Sequence, residues 1–307
     1  MKKNIKYILF ILIFISGDIF IGYVLSVLSK KQKYDNRIEL ILENKIEADV
    51  VIIGSSEALN DYSPEEIKLN TGLSCYNLGQ SGSNPIFHET ILDLVLKSAH
   101  KPKLVIYNVD DYAALYTKSG IVFRKDVLYP YVDNPFICKK INSELGKNEL
   151  ATNISYTYRQ NVNFINALKY LLFGKEKPDA RTTNINSFGA TLVDKKGGDE
   201  HTVFEMNNIN LSVLRMNLDY RNSILNIQKK CSENNIQLLF CLPPQFRKST
   251  KGFKNRIQSV IDSTYQLIDY SNSLTEAAYF SDQEHLNKDG ATYFSKLISA
   301  DIKKIKI

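Results

Sequence analysis

The chain has no tryptophan, three methionines and four histidines among its 307 residues. Lack of tryptophan does not starve the interior, because 18 Tyr and 15 Phe in a chain 44% hydrophobic allow one sizeable globular domain plus an appendage. Four cysteines, Cys75, Cys138, Cys231 and Cys241, lack the spacing of a metal cluster, so no metal and no cofactor are expected. Cys75 and Cys241 fall in predicted strands, where a thiol behaves as a small apolar group. Nothing argues for a disulfide or a catalytic cysteine. No cysteine lies near the apolar N-terminal stretch, which argues against a lipoprotein. The net charge of +6 includes no dense basic run interleaved with aromatics. Lys303, Lys304 and Lys306 read as a solvated helix end, and no nucleic-acid partner is expected. Internal repeats and low-complexity tracts are also missing.

What is present begins with Lys2, Lys3 and Lys6, followed by an apolar stretch from Tyr7 to Leu28 that is long enough as a helix to cross a bilayer. Asp18 sits in its middle beside Gly17, with Gly22 following. A carboxylate there is tolerated when protonated or paired. Val27-Leu28-Ser29 would also suit a signal peptidase. The length of the apolar run favours an uncleaved membrane anchor over residues 1–33. Lys30, Lys31 and Lys33 balance the basic charge at the other end, so charge alone does not set orientation. The basic start and the substrate class implied below place the remainder on the extracytoplasmic side.

Residues 34–307 read as one α/β domain. Tyr34–Ile46 looks like a connecting helix. Strands are predicted at Asp49–Ile53, Leu73–Leu78, Lys103–Asn108, Gln237–Leu242 and Gln266–Tyr270, each an apolar or β-branched run stopped by a turn residue. Helices are predicted at Pro64–Asn70, Pro85–His100, Leu211–Asn234, Gly252–Tyr265 and Gly290–Lys304, with Asn84 and Asn287 as N-caps. The alternation predicts a three-layer α/β/α flavodoxin-like sandwich around a five-stranded, mostly parallel sheet. A long insertion, about 113–210, follows the third strand. Within it Tyr156–Phe173 has helical periodicity and Lys195–His201 reads as an exposed loop. Connections of that length commonly shape a binding site.

In a parallel sheet, ligands bind beyond the carboxyl ends of the strands. The first strand ends in Gly54-Ser55-Ser56 and the second in the run Asn77 to Gly82. The third ends in Asn108-Val109-Asp110-Asp111, and Asp282-Gln283-Glu284-His285 follows the fifth. A serine hydroxyl needs a base to take its proton. Among the four histidines His285 is the best base, since Asp282 at i−3 can hold Nδ1–H from the same side of a helical turn. Backbone N–H groups of Ser56 and Gly82 suit a developing oxyanion. Blander readings exist: Ser55 or Ser56 as a helix cap, and Asp282 as a cap beside a surface histidine. His88 and His100 read as surface or helix-end residues, with His88 near enough to the glycine run to meet substrate. Asp199-Glu200-His201 lacks a second ligand cluster, and Pro243-Pro244-Gln245 reads as a rigid turn on the active edge. The aromatics from Tyr107 to Tyr116 could stack on sugar rings, with core packing the default reading.

These blocks resemble the SGNH (GDSL-type) hydrolase superfamily over about Ala48–Ile302, apart from the insertion. The resemblance implies Ser56 as nucleophile, His285 as base, Asp282 as its orienting carboxylate, and Ser56 and Gly82 in the oxyanion hole. Ser55 stands where the family often has Asp. The third block departs from the pattern, with Asp110 where an oxyanion asparagine is expected. Three solutions are open: a protonated Asp110, Asn108 turning in, or two backbone donors sufficing. An N-terminal anchor with Gly-Ser-Ser is similar to the membrane-tethered members that act on envelope polymers. The implied activity is hydrolysis of O-acyl, above all O-acetyl, groups on envelope or capsular polysaccharide. The implied partners are the acylated carbohydrate, the membrane, and proteins of envelope biosynthesis. An O-acyltransferase with the same triad and a non-catalytic envelope assembly protein are the alternatives.

Overall fold

A computed structural model describes residues 2–31, 35–145, 150–160, 185–194, 210–246 and 250–307. By compactness the chain divides into one unit of residues 1–38 with 124–184 and another of residues 39–123 with 185–307. The described helices, in chain order, are α1 (Lys2–Lys31), α2 (Arg37–Leu42), α3 (Ser56–Asp61), α4 (Pro64–Thr71), α5 (Pro85–Lys97), α6 (Lys125–Leu128), α7 (Pro135–Leu145), α8 (Leu150–Ile154), α9 (Tyr156–Arg159), α10 (Leu218–Glu233), α11 (Phe253–Gln258) and α12 (Lys288–Ile302).

The second unit holds a sheet of β1 (Val50–Ile53), β2 (Cys75–Asn77), β3 (Leu104–Asn108), β4 (Gln237–Leu242) and β5 (Gln266–Asp269). The order is β2-β1-β3-β4-β5, and every pairing is parallel. Val50 sits opposite both Cys75 and Leu104, and Leu104 opposite Gln237. All five strands are the predicted ones, several trimmed at their ends.

β1 is buried along its whole length, because helices cover both faces. Val50, Ile52, Leu104, Ile106, Leu239 and Cys241 face one side and join Ala58 of α3, Tyr62 just after it, Ile67 of α4, and Phe294 and Ile298 of α12. On the other side α5 and α10 pack against each other and against β1 and β4. There the Tyr107 ring lies 5.5 Å from that of Phe240. Each fully buried Ile or Phe stabilises by about 1.5–3 kcal/mol relative to exposure. The three-layer arrangement expected from the alternation is thus present.

Local capping decides the boundaries. Asn84 accepts from Phe87 N with Pro85 at the first helical position, and Asn287 accepts from Gly290 N. The helix predicted from Leu211 starts at Leu218, because Asn217 accepts from the N–H of Asp219 and Tyr220 and caps it there. The helix predicted over Gly252–Tyr265 stops at Gln258. Beyond it, Asp262 accepts from Thr264 N and Oγ1, a local turn that competes with helix. The connecting helix shrinks to Arg37–Leu42. Of the periodic stretch Tyr156–Phe173, Tyr156–Arg159 is helical and Gln160 caps it; residues 161–173 and Lys195–His201 lie outside the described residues.

The other unit contains α1 and α6 to α9. Asn4–Leu28 of α1 is long and apolar enough to cross a membrane.

Candidate active site

Strand order reverses between β1 and β3, so their carboxyl ends open a crevice. β1 runs into Gly54, whose φ is +151°, and a Cβ there would lie 2.8 Å from Cβ of both Ala58 and Asn108. Only glycine fits that close approach to β3. The turn makes Ser55 the N-cap residue and Ser56 the first residue of α3. The short sequence Ser-Glu-Ala-Leu-Asn-Asp shows no helical periodicity, and only the reading of Ser55 or Ser56 as a helix cap anticipates α3. A residue at that first position has an N–H without an intrahelical acceptor, which suits the oxyanion role expected of Ser56.

Ser56 Oγ lies 2.8 Å from His285 Nε2 across 229 residues of chain. His285 Nδ1 lies 2.9 and 3.0 Å from the two oxygens of Asp282. The Asp282–His285 segment is a turn rather than the expected helical turn. Asp282 Oδ1 accepts from Glu284 N at 2.8 Å and His285 N at 2.9 Å, a carboxylate-capped turn that presents the same two side chains together. Phe280 and Leu286 form an antiparallel bridge that closes this loop.

Burial alone would raise the Asp282 pKa, but the imidazole and the two N–H donors outweigh it and hold the carboxyl down at about 2. Burial alone would lower the His285 pKa. The Asp282 hydrogen bond and charge, then Glu57 and Glu284, reverse that and leave it above the ordinary imidazole value. An ionised Asp282 accepts Nδ1–H, leaving Nε2 to accept from the serine hydroxyl.

Asp61, at the other end of α3, was not singled out in the sequence. It is fully buried, and its Oδ1 accepts from Leu286 N at 2.9 Å. Its Oδ2 has no hydrogen-bond partner. Burial pushes its pKa well above the ordinary carboxylate value, against the hydrogen bond from Leu286 N. Asp61→Asn keeps the carbonyl acceptor and is expected to leave stability nearly unchanged. Asp61→Ala strands the Leu286 N–H and should cost about 1–3 kcal/mol in urea unfolding. If the two variants lose equally, Asp61 does not act as the acceptor for Leu286 N.

The third block behaves differently from expectation. Asn108 is fully buried; its Oδ1 accepts from Tyr62 Oη at 2.8 Å. Its Nδ2 donates to Asp110 Oδ1 at 2.9 Å and to Glu57 Oε2 at 3.3 Å. Asn108, expected among the oxyanion donors, therefore has both ends of its amide engaged beneath the crevice. Glu57 is also buried and accepts from Gln245 Nε2 at 2.9 Å. Gln245 was read only as part of a turn. Burial raises the Asp110 carboxyl above the ordinary carboxylate value, against hydrogen bonds donated by Ser55 and Asn108. Asp111 also lines the cleft, with its carboxylate accepting from Thr250 N and Oγ1. Gly82 lies in the turn after β2 at φ +69°, its carbonyl accepting from Val122 N.

Ser55, Ser56, Glu57, Asp110, Lys118 and Glu284 line a small open cleft. Lys118 Nζ and Glu284 Oε1 are 3.1 Å apart and tie the segment after β3 to the histidine loop. His88 corrects the surface reading: it is 2% exposed, with Nε2 on Ser83 Oγ at 2.8 Å and Nδ1 on Tyr107 Oη at 3.1 Å. Burial pushes its pKa down to about 3, so it is a neutral strut. Asp199, Glu200 and His201 lie outside the described residues.

No family model and no curated protein matches the chain. Among solved structures it is similar to a protein described as a lipolytic protein of the G-D-S-L family from Desulfitobacterium hafniense, at 12% identity and TM-score 0.38, covering 82% of this chain and 97% of that one. A protein described as an acylhydrolase from Bacteroides fragilis shows 12% identity and TM-score 0.42, with 89% and 98% covered. A GDSL-like lipase from Bacteroides thetaiotaomicron shows 14% identity and TM-score 0.38, with 88% and 98% covered. Likenesses this distant say nothing of activity.

Proposed function

We propose that the protein is a serine ester hydrolase working through Ser56, His285 and Asp282. The observation carrying this reading is the continuous hydrogen-bonded line from Ser56 Oγ through the imidazole to Asp282. Ser56 Oγ attacks the ester carbonyl while its proton passes to His285 Nε2, and Asp282 stabilises the imidazolium at Nδ1. Backbone N–H groups of Ser56 and Gly82 receive the oxyanion. Collapse expels the alcohol, which takes the proton from Nε2. Water then attacks the acyl-enzyme with His285 as base, releasing the carboxylic acid and restoring the serine.

The substrate proposed is an O-acyl, acetyl-sized ester on an envelope or capsular polysaccharide, with the protein tethered by α1 and its site on the extracytoplasmic side. The resemblance of the motifs and the apolar N-terminal helix support that finer reading. A fluorophosphonate probe tests the nucleophile. Labelling of the folded native protein and of Ser55→Ala, lost in Ser56→Ala, is the expected result. A folded native protein that takes no label would point to a non-catalytic assembly role. Acetyl release into water, compared with transfer to added oligosaccharide, separates hydrolase from transferase.

Two further outcomes are expected. The rate should fall as pH drops through an imidazole midpoint above about 6.5, because His285 is raised and its protonated form cannot accept from Ser56. A profile flat across that range would remove His285 as base. An ionised Asp110 cannot donate a hydrogen bond and opposes negative charge in the cleft. Asp110→Asn should therefore raise kcat/KM at pH 8, on the order of tenfold, by supplying a neutral amide. A fall would instead make the carboxyl itself necessary.

A further inference from the structure

The only acidic side chain within the apolar span of α1 is bonded to a segment 137 residues away. Asp18 Oδ1 accepts from Ser155 Oγ at 2.7 Å and Thr157 N at 3.3 Å. Asp18 Oδ2 accepts from Tyr156 N at 2.7 Å, and Thr157 Oγ1 donates to the Asp18 carbonyl at 3.1 Å. One turn further along α1, a Cβ on Gly22 would lie 2.6 Å from the Tyr156 carbonyl carbon, so a glycine is what lets this segment touch the helix. The α8–α9 elbow is thus seated on α1 by both polar and steric fit.

Depth follows from helix arithmetic. Large apolar side chains of α1 are exposed from Ile5 to Tyr23, a length of about 27 Å at about 1.5 Å per residue. That nearly matches the roughly 30 Å of a hydrocarbon core. Asp18 lies about 7 Å inside Tyr23, and about 15 Å inside Leu28 where the apolar span ends, by the same rise. Whatever binds Asp18 sits at that depth too. Over Ser155–Arg159 the elbow meets the condition that lipid imposes, an acceptor for each backbone N–H. From Ser155 to Arg159 these acceptors are Ala151 O, the two Asp18 oxygens, Ser155 Oγ and Ser155 O. The Arg159 guanidinium is covered, donating to Thr152 O and to Asp133. Meanwhile Ile154, Tyr156 and Tyr158 stay exposed, at 73%, 42% and 40%.

We propose that the α8–α9 elbow is a membrane-penetrating wedge, held by Asp18 within the leaflet nearer the C-terminal end of α1. The occupant of its exposed apolar surface is lipid acyl chain, continuous with the lipid around α1. On this reading α1 is retained, since cleavage near Ser29 would remove the elbow's partner.

The absence of tryptophan makes the test clean. The full chain carrying Ile154→Trp or Phe20→Trp, one substitution at a time, is reconstituted into phosphatidylcholine vesicles with or without brominated acyl chains. Both positions are exposed, so neither change threatens the fold. Bromolipid should quench Trp emission in Ile154→Trp at least half as strongly as in Phe20→Trp, while aqueous iodide quenches neither. Ile154→Trp emission quenched by iodide and not by bromolipid would place the elbow in water and overturn the proposal. Failure of bromolipid to quench Phe20→Trp would overturn it as well, by removing α1 from the bilayer. Neither readout depends on ester hydrolysis.

Discussion

Ser56→Ala is expected to lower kcat/KM on an acetyl ester on the order of 10⁵-fold, since removing one member of a nucleophile–base unit removes nearly all that the unit does. The hydroxyl is 2.8 Å from His285 Nε2, which is placed to take its proton. Ser55 supplies the sharp contrast. Its side chain makes no capping hydrogen bond to α3, and Ser55→Ala leaves the Ser56–His285 contact in place, so it should lose far less. Hydrolysis of a chromogenic acetyl ester measures both. Equal losses, or a Ser56→Ala enzyme near native rate, would transfer the chemistry elsewhere.

Asp282→Asn should cost about 10⁴-fold in kcat, the size seen when an orienting carboxylate is replaced by its amide. The reason is the tautomer. An asparagine carbonyl can keep accepting from the Glu284 and His285 N–H groups, so the turn survives. That leaves the amide NH₂ facing Nδ1, which must then become an acceptor and move the imidazole proton to Nε2. A donor at Nε2 cannot take the serine proton. Unchanged thermal unfolding together with the lost rate would separate this from misfolding. A loss of tenfold or less would show that Asp282 only shapes the loop.

The sheet was legible because each strand is an apolar run bounded by turn residues, and parallel strands covered on both sides need little else. The serine and histidine blocks were legible for a similar reason, since strand ends in such a sheet converge. What escaped was of two kinds. Short elements fixed by one side chain, such as the start of α10 at Asn217 or the Asp282 turn, follow hydrogen bonds that periodicity does not encode. Buried polar pairings escaped too: Glu57 with Gln245, Asp61 with Leu286 N, His88 with Ser83 and Tyr107. Nothing in a single chain says which polar groups meet inside. Asp18 was marked as needing a partner, but Ser155 could not be named from its position in the sequence.

One short helix carries the attacking oxygen at its head and, at its foot, the acid that grips the backbone after the base. Thermal rocking of α3 therefore drags nucleophile and histidine loop in unison. The gap between them is set by a stiff bracket of six residues rather than by how two distant strands happen to breathe.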